Sequence, residues 1–377
     1  MKLKNLTAIA LTGMVCLSAC TPQYTVEGKW ADGAGKTVYL QKKVNDETPV
    51  IDSVVVAADG SFSFTLPAGV DVYELNAAKE AKKEILVSEI PVVVTIATEL
   101  RTAKDSSTYE TLSIEAVGDE QKVYEQGTQM IMTASFMQLG RMFALSNILQ
   151  GKDTTMTLDS AVVFFDMMDA RMNESIYNFV DSAKNNYGVA YFIKDYMIRS
   201  MPFDTVQVAY DALTDRVKQS APGLELKNAV EALAAVSIGG TAPDITLMTP
   251  DSTELSLSSL RGHYVLLDFW ASWCLPCRQE NVNLIKIYKR YRPKGLEIIS
   301  VSIDDNKQAW LSAIGQDGCD WKNVSDLKGG QSEIAADYCV KGIPCTFILD
   351  GENRIVAKNL RGKDLEKKID EMLKKKK

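Results

Sequence analysis

Val265-Leu266-Leu267-Asp268-Phe269-Trp270 has the pattern of a buried strand, and it runs through Ala271-Ser272-Trp273 into Cys274-Leu275-Pro276-Cys277. An apolar run of strand length, a turn and then a Cys-x-x-Cys pair put the first sulfur where a helix begins. A helix N-terminus offers unpaired N–H groups and partial positive charge. Both favour the thiolate, the reactive form of cysteine. Cys277 lies one turn on, close enough to close a disulfide with Cys274. Asp268 interrupts the apolar run where a charge is costly to bury. A carboxyl there is better explained as a proton acceptor for a buried thiol than as a packing residue. A zinc half-site is the competing use of such a pair. It would need a second Cys or His pair, and the chain has one His and no second Cys-x-x-Cys.

The rest of the chain is long enough, at 377 residues, for two or three domains. With 46% hydrophobic and 24% charged residues it has the composition of a folded protein. A net charge of −7 argues against a nucleic-acid partner, which would call for a basic stripe. The terminal lysines 374–377 read as a solvated helix end. The start is different. Lys2 and Lys4 precede a short apolar stretch, Leu6 to Leu17, too short to span a bilayer, and Leu17-Ser18-Ala19-Cys20 follows. This order resembles a bacterial lipobox, which implies removal of residues 1–19, lipid on Cys20 and an envelope location facing the periplasm, on the inner or the outer membrane. Loss of that segment takes away lysines and no acid, so the remainder is more acidic still. Of seven cysteines, Cys16 leaves with the signal and Cys20 carries lipid. The pair at 274 and 277 leaves Cys319, Cys339 and Cys345, an odd number, so at least one is free or pairs between chains. Cys319 with Cys339 is one candidate structural disulfide, although spacing does not fix pairing.

From residue 20 to 117 the pattern is strands and turns. Tyr24–Trp30 and Thr37–Gln41 read as a strand pair. Val50–Ala57 leads through Asp59-Gly60, a hairpin signal, into the alternating Phe62, Phe64 and Leu66. Further strands are expected at 91–96 and 111–114, giving a small antiparallel β domain, sandwich or open barrel. From 118 to 237 the period becomes helical. Two long helices precede three shorter ones at 187–201, 205–220 and 224–236, punctuated by Pro202 and Pro222-Gly223. Ten of the 14 methionines lie between Met130 and Met201. Core packing at helical spacing is the plainer explanation, and an adaptable partner surface is the other.

Residues 238–377 alternate strand and helix around the Cys-x-x-Cys. With Gly342-Ile343-Pro344 as a second landmark, this part resembles a thioredoxin-fold domain of the TlpA/ResA group of thiol-disulfide oxidoreductases. The order of lipobox, β domain, helical segment and redox domain is similar to TlpA-like lipoproteins of Bacteroidetes. The resemblance implies that Cys274 and Cys277 are the redox pair, that Asp268 accepts a proton from Cys277, and that Glu280 helps set thiol acidity. It implies a cis Pro344 which, with Ile343 and Trp273, forms the substrate platform. It implies disulfide-bearing protein substrates, a membrane thiol-disulfide donor, cytochrome c maturation as one client pathway, and no metal or organic cofactor. The sequence departs from the pattern at Val282, where relatives often carry a helix-kinking proline, and at Cys345, where threonine is usual. Strand alternation turns Cys345 away from the active sulfurs, as a buried inert thiol. His263 reads as an exposed loop residue. Other readings remain. A disulfide oxidase or isomerase would use the same pair. A peroxiredoxin-like peroxidase wants a threonine three residues before the reactive cysteine, where this chain has Ala271. A non-catalytic binding lipoprotein would leave the motif without a task.

Overall fold

The structure is a computed structural model that describes residues 23–44, 47–78, 81–102, 107–152 and 155–374. Cys20 and the segment before it lie outside the described residues. The chain divides into two compact units, the first running to Lys122 and the second from Val123.

The first unit carries eight strands: β1 Gln23–Trp30, β2 Thr37–Gln41, β3 Val50–Val55, β4 Ser61–Pro67, β5 Asp71–Ala78, β6 Ala81–Val87, β7 Val92–Thr102 and β8 Thr108–Val117. They form two four-stranded sheets, ordered β4-β1-β7-β8 and β3-β2-β5-β6. One core lies between them, built on Trp30, Leu40, Phe64, Leu75, Ile85 and Val94. Alternation along β4 and β7 puts every second side chain inside, as a two-layer sheet packing requires. Two expectations fail here. β1 and β2 do not pair: β1 lies between β4 and β7, and β2 between β3 and β5. The Asp59-Gly60 turn joins strands of different sheets, so it is a corner of the sandwich and not a hairpin. Gly60 is held at φ +81, where a Cβ would come within 2.6 Å of the Trp30 carbonyl oxygen. The sheets are antiparallel except for β1 against β7, which run parallel. Strands β5 and β6 escape sequence reading because Lys82-Lys83-Glu84 favours helix. Here Gln121 secures them, donating to the Glu84 carbonyl and accepting from Leu86 N–H at 2.7 Å.

The second unit begins with helices. α1 (Asp119–Leu149) and α2 (Leu158–Ala183) are long; α1 starts at the end of the first unit. α3 (Tyr187–Phe192) continues through a π turn, Ile193–Met197, into α4 (Ile198–Ser200). The single helix expected at 205–220 is two, α5 (Phe203–Ala212) and α6 (Asp215–Lys218), because Leu213 takes an extended conformation. α7 (Ala221–Ala235) closes the set, with Pro222 in its first turn. Core packing does not account for all the methionines: Met197 is buried, but Met132, Met142 and Met167 are exposed.

A seven-stranded mixed sheet follows, ordered β10-β9-β13-β12-β11-β14-β15. Its strands are β9 Thr246–Met248, β10 Glu254–Ser256, β11 Tyr264–Trp270, β12 Leu296–Ser302, β13 Lys322–Ser325, β14 Cys345–Leu349 and β15 Ile355–Lys358. β11 is central, parallel to β12 and antiparallel to β14. Buried on both faces, these three read as continuous apolar runs. α8 (Leu275–Tyr291) and α11 (Gly362–Lys374) pack on one face through Leu284, Ile287, Leu365 and Ile369 against Leu266, Ile298 and Ile348. α9 (Lys307–Asp317) follows β12, and α10 (Glu333–Asp337) precedes the Gly342–Pro344 turn. The fold is therefore an N-terminal β-rich part, a central helical part and a C-terminal thioredoxin-like domain.

Candidate functional site

Cys274 is the N-cap of α8, and its Sγ accepts a hydrogen bond from Cys277 N–H at 3.2 Å. Pro276 sits in the first turn, where its missing N–H costs nothing. The two sulfurs are joined as a disulfide, with their Cα atoms 5.3 Å apart. Both cysteines are buried, in a cluster with Trp270, Ala271, Trp310 and Ala313. The residues on either side of Cys274 are not: Trp273 is 66% and Leu275 68% exposed. The sulfurs thus lie at the floor of a surface that presents two large apolar side chains.

The loop before Cys274 is held by Asp304, two residues before Asn306, which caps α9 by accepting from Gln308 and Ala309 N–H. The Asp304 carboxylate accepts from Ser272 N–H at 2.9 Å and Ser272 Oγ at 2.6 Å, and from Ser302 Oγ at 2.6 Å. Arg278, the first residue after Cys277, donates to the Ser272 carbonyl at 3.2 Å and forms an ion pair with Asp317 on α9. Asn281 also donates to Asp317, at 2.8 Å. These contacts tie α8 to α9. Their only sequence signal was a cluster of acids after a strand.

Asp268 lies mid-strand in β11 between Ser300 of β12 and Thr346 of β14, and is 2% exposed. Its carboxyl accepts from Ser300 Oγ at 3.1 Å, and Ser300 Oγ accepts in turn from Trp321 Nε1 at 2.8 Å. Burial pushes the Asp268 carboxyl up to about 7; the Ser300 hydrogen bond opposes this, the Glu280 charge adds to it, and the Arg361 charge works against it. Glu280, half-buried on α8, has its carboxylate fixed by Gly362 N–H, the first residue of α11, and by the Asn283 amide, each at 2.9 Å. Ile343–Pro344 is cis, as expected. Arg361 donates to the Pro344 carbonyl at 2.5 Å, a contact nothing in the sequence pointed to. One end of the sheet therefore brings Cys274, Cys277, Asp268, Glu280, Ile343, Pro344 and Trp273 to the same region, with Arg361 and Asp304 added.

The three remaining cysteines are free, so no Cys319–Cys339 bond forms. Burial pushes the Cys319 thiol up to about 12 and the Cys345 thiol up to about 11, and raises Cys339. Cys345 Sγ donates to Asn359 Oδ1 at 3.2 Å, on the sheet face away from α8. α8 runs without interruption past Val282, and His263 is exposed. The helical part of this unit meets the platform loop directly. Lys341 Nζ donates to the Ile198 carbonyl at 2.6 Å, and a cleft of about 770 Å³ separates Met201–Asp204 and Leu233 from Lys341–Pro344. It leaves Trp273 and Leu275 uncovered. Among the described residues, no cluster of three or more His, Cys, Asp or Glu is placed to hold a metal, and no helix is long and apolar enough to cross a membrane.

A thioredoxin-like sheet with a Cys-x-x-Cys at the start of α8, a cis proline opposite and a buried acid beneath defines a class, the thiol-disulfide oxidoreductases. The chain belongs to this family in its ResA-like branch. Residues 238–358 match the AhpC/TSA family. The thiol-disulfide oxidoreductase ResA of Bacillus subtilis is 31% identical over 36% of this chain and 75% of its own. That of Geobacillus kaustophilus is 32% identical over 36% of this chain and 78% of its own. Among solved structures, the thioredoxin domain of a thiol-disulfide oxidoreductase from Bacteroides vulgatus is 36% identical, covering 36% of this chain and 98% of that one, with a TM-score of 0.35.

Proposed function

We propose that the protein is a lipid-anchored envelope oxidoreductase that reduces disulfides in protein substrates through Cys274 and Cys277. With the pair reduced, the Cys274 thiolate attacks one sulfur of a substrate disulfide and the other leaves as a thiolate. Cys277 passes its proton to Asp268 and attacks Cys274 Sγ. The mixed disulfide breaks, the substrate departs as a dithiol, and the enzyme is left with the Cys274–Cys277 disulfide. A membrane thiol-disulfide donor then returns two electrons and two protons. Trp273, Ile343 and Pro344 receive the substrate segment, and Glu280 sets the charge around Asp268. Cys20 carries the lipid, on the inner or outer membrane facing the periplasm. Cytochrome c maturation is one pathway that consumes such reducing equivalents.

The observation that carries this reading is the Cys274–Cys277 pair at the N-terminus of α8, with Asp268 buried in the central strand, where burial pushes its carboxyl up to about 7. Ala271 stands where the peroxidase reading needs a hydroxyl. The domain boundaries at 117 and 237 belong to the same reading: a spacer, a helical mount and a redox head. Insulin reduction by dithiothreitol tests it. Wild-type protein should accelerate turbidity and Cys274→Ser should not. Equal rates would refute it, and a Cys274–Cys277 potential far above that of thioredoxin would make the protein an oxidase.

A further inference from the structure

The cleft of about 770 Å³ beside Ile343 and Pro344 differs in charge from the molecule around it. The chain is acidic, at −7 overall. Yet three cations, Lys341, Lys358 and Arg361, line this cleft against a single acid, Asp204. Arg361 donates to the Pro344 carbonyl and Lys341 to the Ile198 carbonyl, and neither of those partners carries a counter-charge. Lys358, half-buried at the end of β15, holds its Nζ 5.0 Å from the centre of the Phe347 ring. Its ammonium makes no ion pair and no hydrogen bond among the described residues. Burial lowers the pKa of Lys358, and it lowers that of Lys341, which the charges of Lys358 and Arg199 depress further. The Cys339 and Cys345 thiols oppose this, but burial raises both, so near pH 7 they supply no compensating charge. Half-buried cations without a counter-charge are costly to the folded protein, and an anion seated among them removes that cost. The cleft also borders backbone that is open to a strand. Neither Gly342 nor Ile343 makes a backbone hydrogen bond among the described residues, so a substrate segment pairing at Ile343 lies at the edge of the same cleft.

We propose that this cleft selects the substrate: it receives a carboxylate-bearing stretch of the substrate protein beside the target disulfide, and Lys358, with Lys341, is what recognises it. The inference rests on the disulfide-reducing reading above and names the substrate class which that reading leaves open. The size fits, since ligand clefts run to about 300–1,000 Å³. The chemistry fits as well. Complementary charge at a docking surface decides which partner is accepted and how fast it arrives. The molecule as a whole repels acids, so long-range attraction alone would favour basic substrates. A preference for acidic ones therefore reports the cleft and not the net charge.

The second-order rate at which peptide disulfides oxidise the reduced full chain tests this. Each turnover converts the Cys274–Cys277 dithiol to its disulfide and one peptide disulfide to two peptide thiols. Three homodimeric peptides, blocked at both ends, carry glutamate, serine or lysine on either side of the cysteine; a fourth is the serine peptide with a free terminal carboxylate. Each rate is divided by that of dithiothreitol with the same peptide, which removes the effect of charge on the sulfur itself. The glutamate peptide or the free-carboxylate peptide should react at least ~10-fold faster than the blocked serine peptide, and the lysine peptide slower. Whichever of the first two leads tells whether acidic side chains or a chain end fill the cleft. Lys358→Met with Lys341→Met should abolish the preference, Lys358→Arg should keep it, and added salt should weaken it. Equal rates for all four peptides, or a preference indifferent to the lysine substitutions, overturns the inference and leaves the redox reading standing. No reaction with any peptide overturns both.

Discussion

Asp268 is where a single residue most affects both stability and chemistry. The folded protein holds its proton up to about pH 7, while an unfolded chain releases it near the ordinary carboxylate value of about 4. The native state therefore binds the extra proton between these values, and stability falls as pH rises through that window. Asp268→Asn should be no more stable than wild type below pH 4. Above pH 7 it should be more stable by a few kcal/mol, at about 1.4 kcal/mol per pH unit traversed, as read from urea midpoints. The same variant should slow release of the mixed disulfide about 10²-fold, so that the trapped adduct accumulates. The other thiols make a second test. In reduced protein at pH 7, iodoacetamide followed by mass spectrometry should find Cys274 labelled while Cys319 and Cys345, held up at about 12 and 11, stay unmodified. Asp268 and the cysteine pair stood out in the sequence because each breaks a local pattern, whereas Glu280 entered only through the family resemblance. Asp304 and Arg361 did not stand out, since an acid after a strand and an arginine before a helix look like ordinary turn residues.

At the level of elements, the start of α8 is positioned from outside itself. Arg278 and Asn281 converge on Asp317, which is mostly buried at the end of α9. Asp317→Ala leaves two donors facing a void and should cost about 1.5–3 kcal/mol. Differential scanning calorimetry would record this as a lower melting temperature, and an unchanged melting temperature would remove the clamp from the account. Elements with strong periodicity were readable: β11, β12 and α8 all lie where their apolar runs place them. The failures have a common cause. A turn such as Asp59-Gly60 specifies its own geometry, whereas the sheet that receives the next strand depends on distant partners. β6 and the short polar β13 exist because neighbours supply their hydrogen bonds, not because their residues favour extension.

At the scale of the whole molecule, the two units keep separate cores. Trp30 and Phe64 anchor one, and the clusters around Leu284 and around the Cys274–Cys277 pair belong to the other. Calorimetry should therefore resolve two transitions, only one of which responds to reduction of the disulfide. A single transition would mean that the units unfold as one. The sequence announced the order of strand-rich, helical and redox parts because the hydrophobic period changes at their borders. It did not announce that the long helices would leave so much apolar surface uncovered, since periodicity records that a face is apolar and not what meets it.

The hydrogen-bonded line from Trp321 through Ser300 to Asp268 also makes the molecule its own optical indicator. An indole N–H at one end of a two-step chain feels the charge at the other. Ionisation of the carboxyl should therefore change the emission of that tryptophan. A fluorescence titration of wild type minus Trp321→Phe should inflect near pH 7, and the inflection should vanish with Asp268→Asn. The proton that the redox step needs could then be followed during turnover without any added dye.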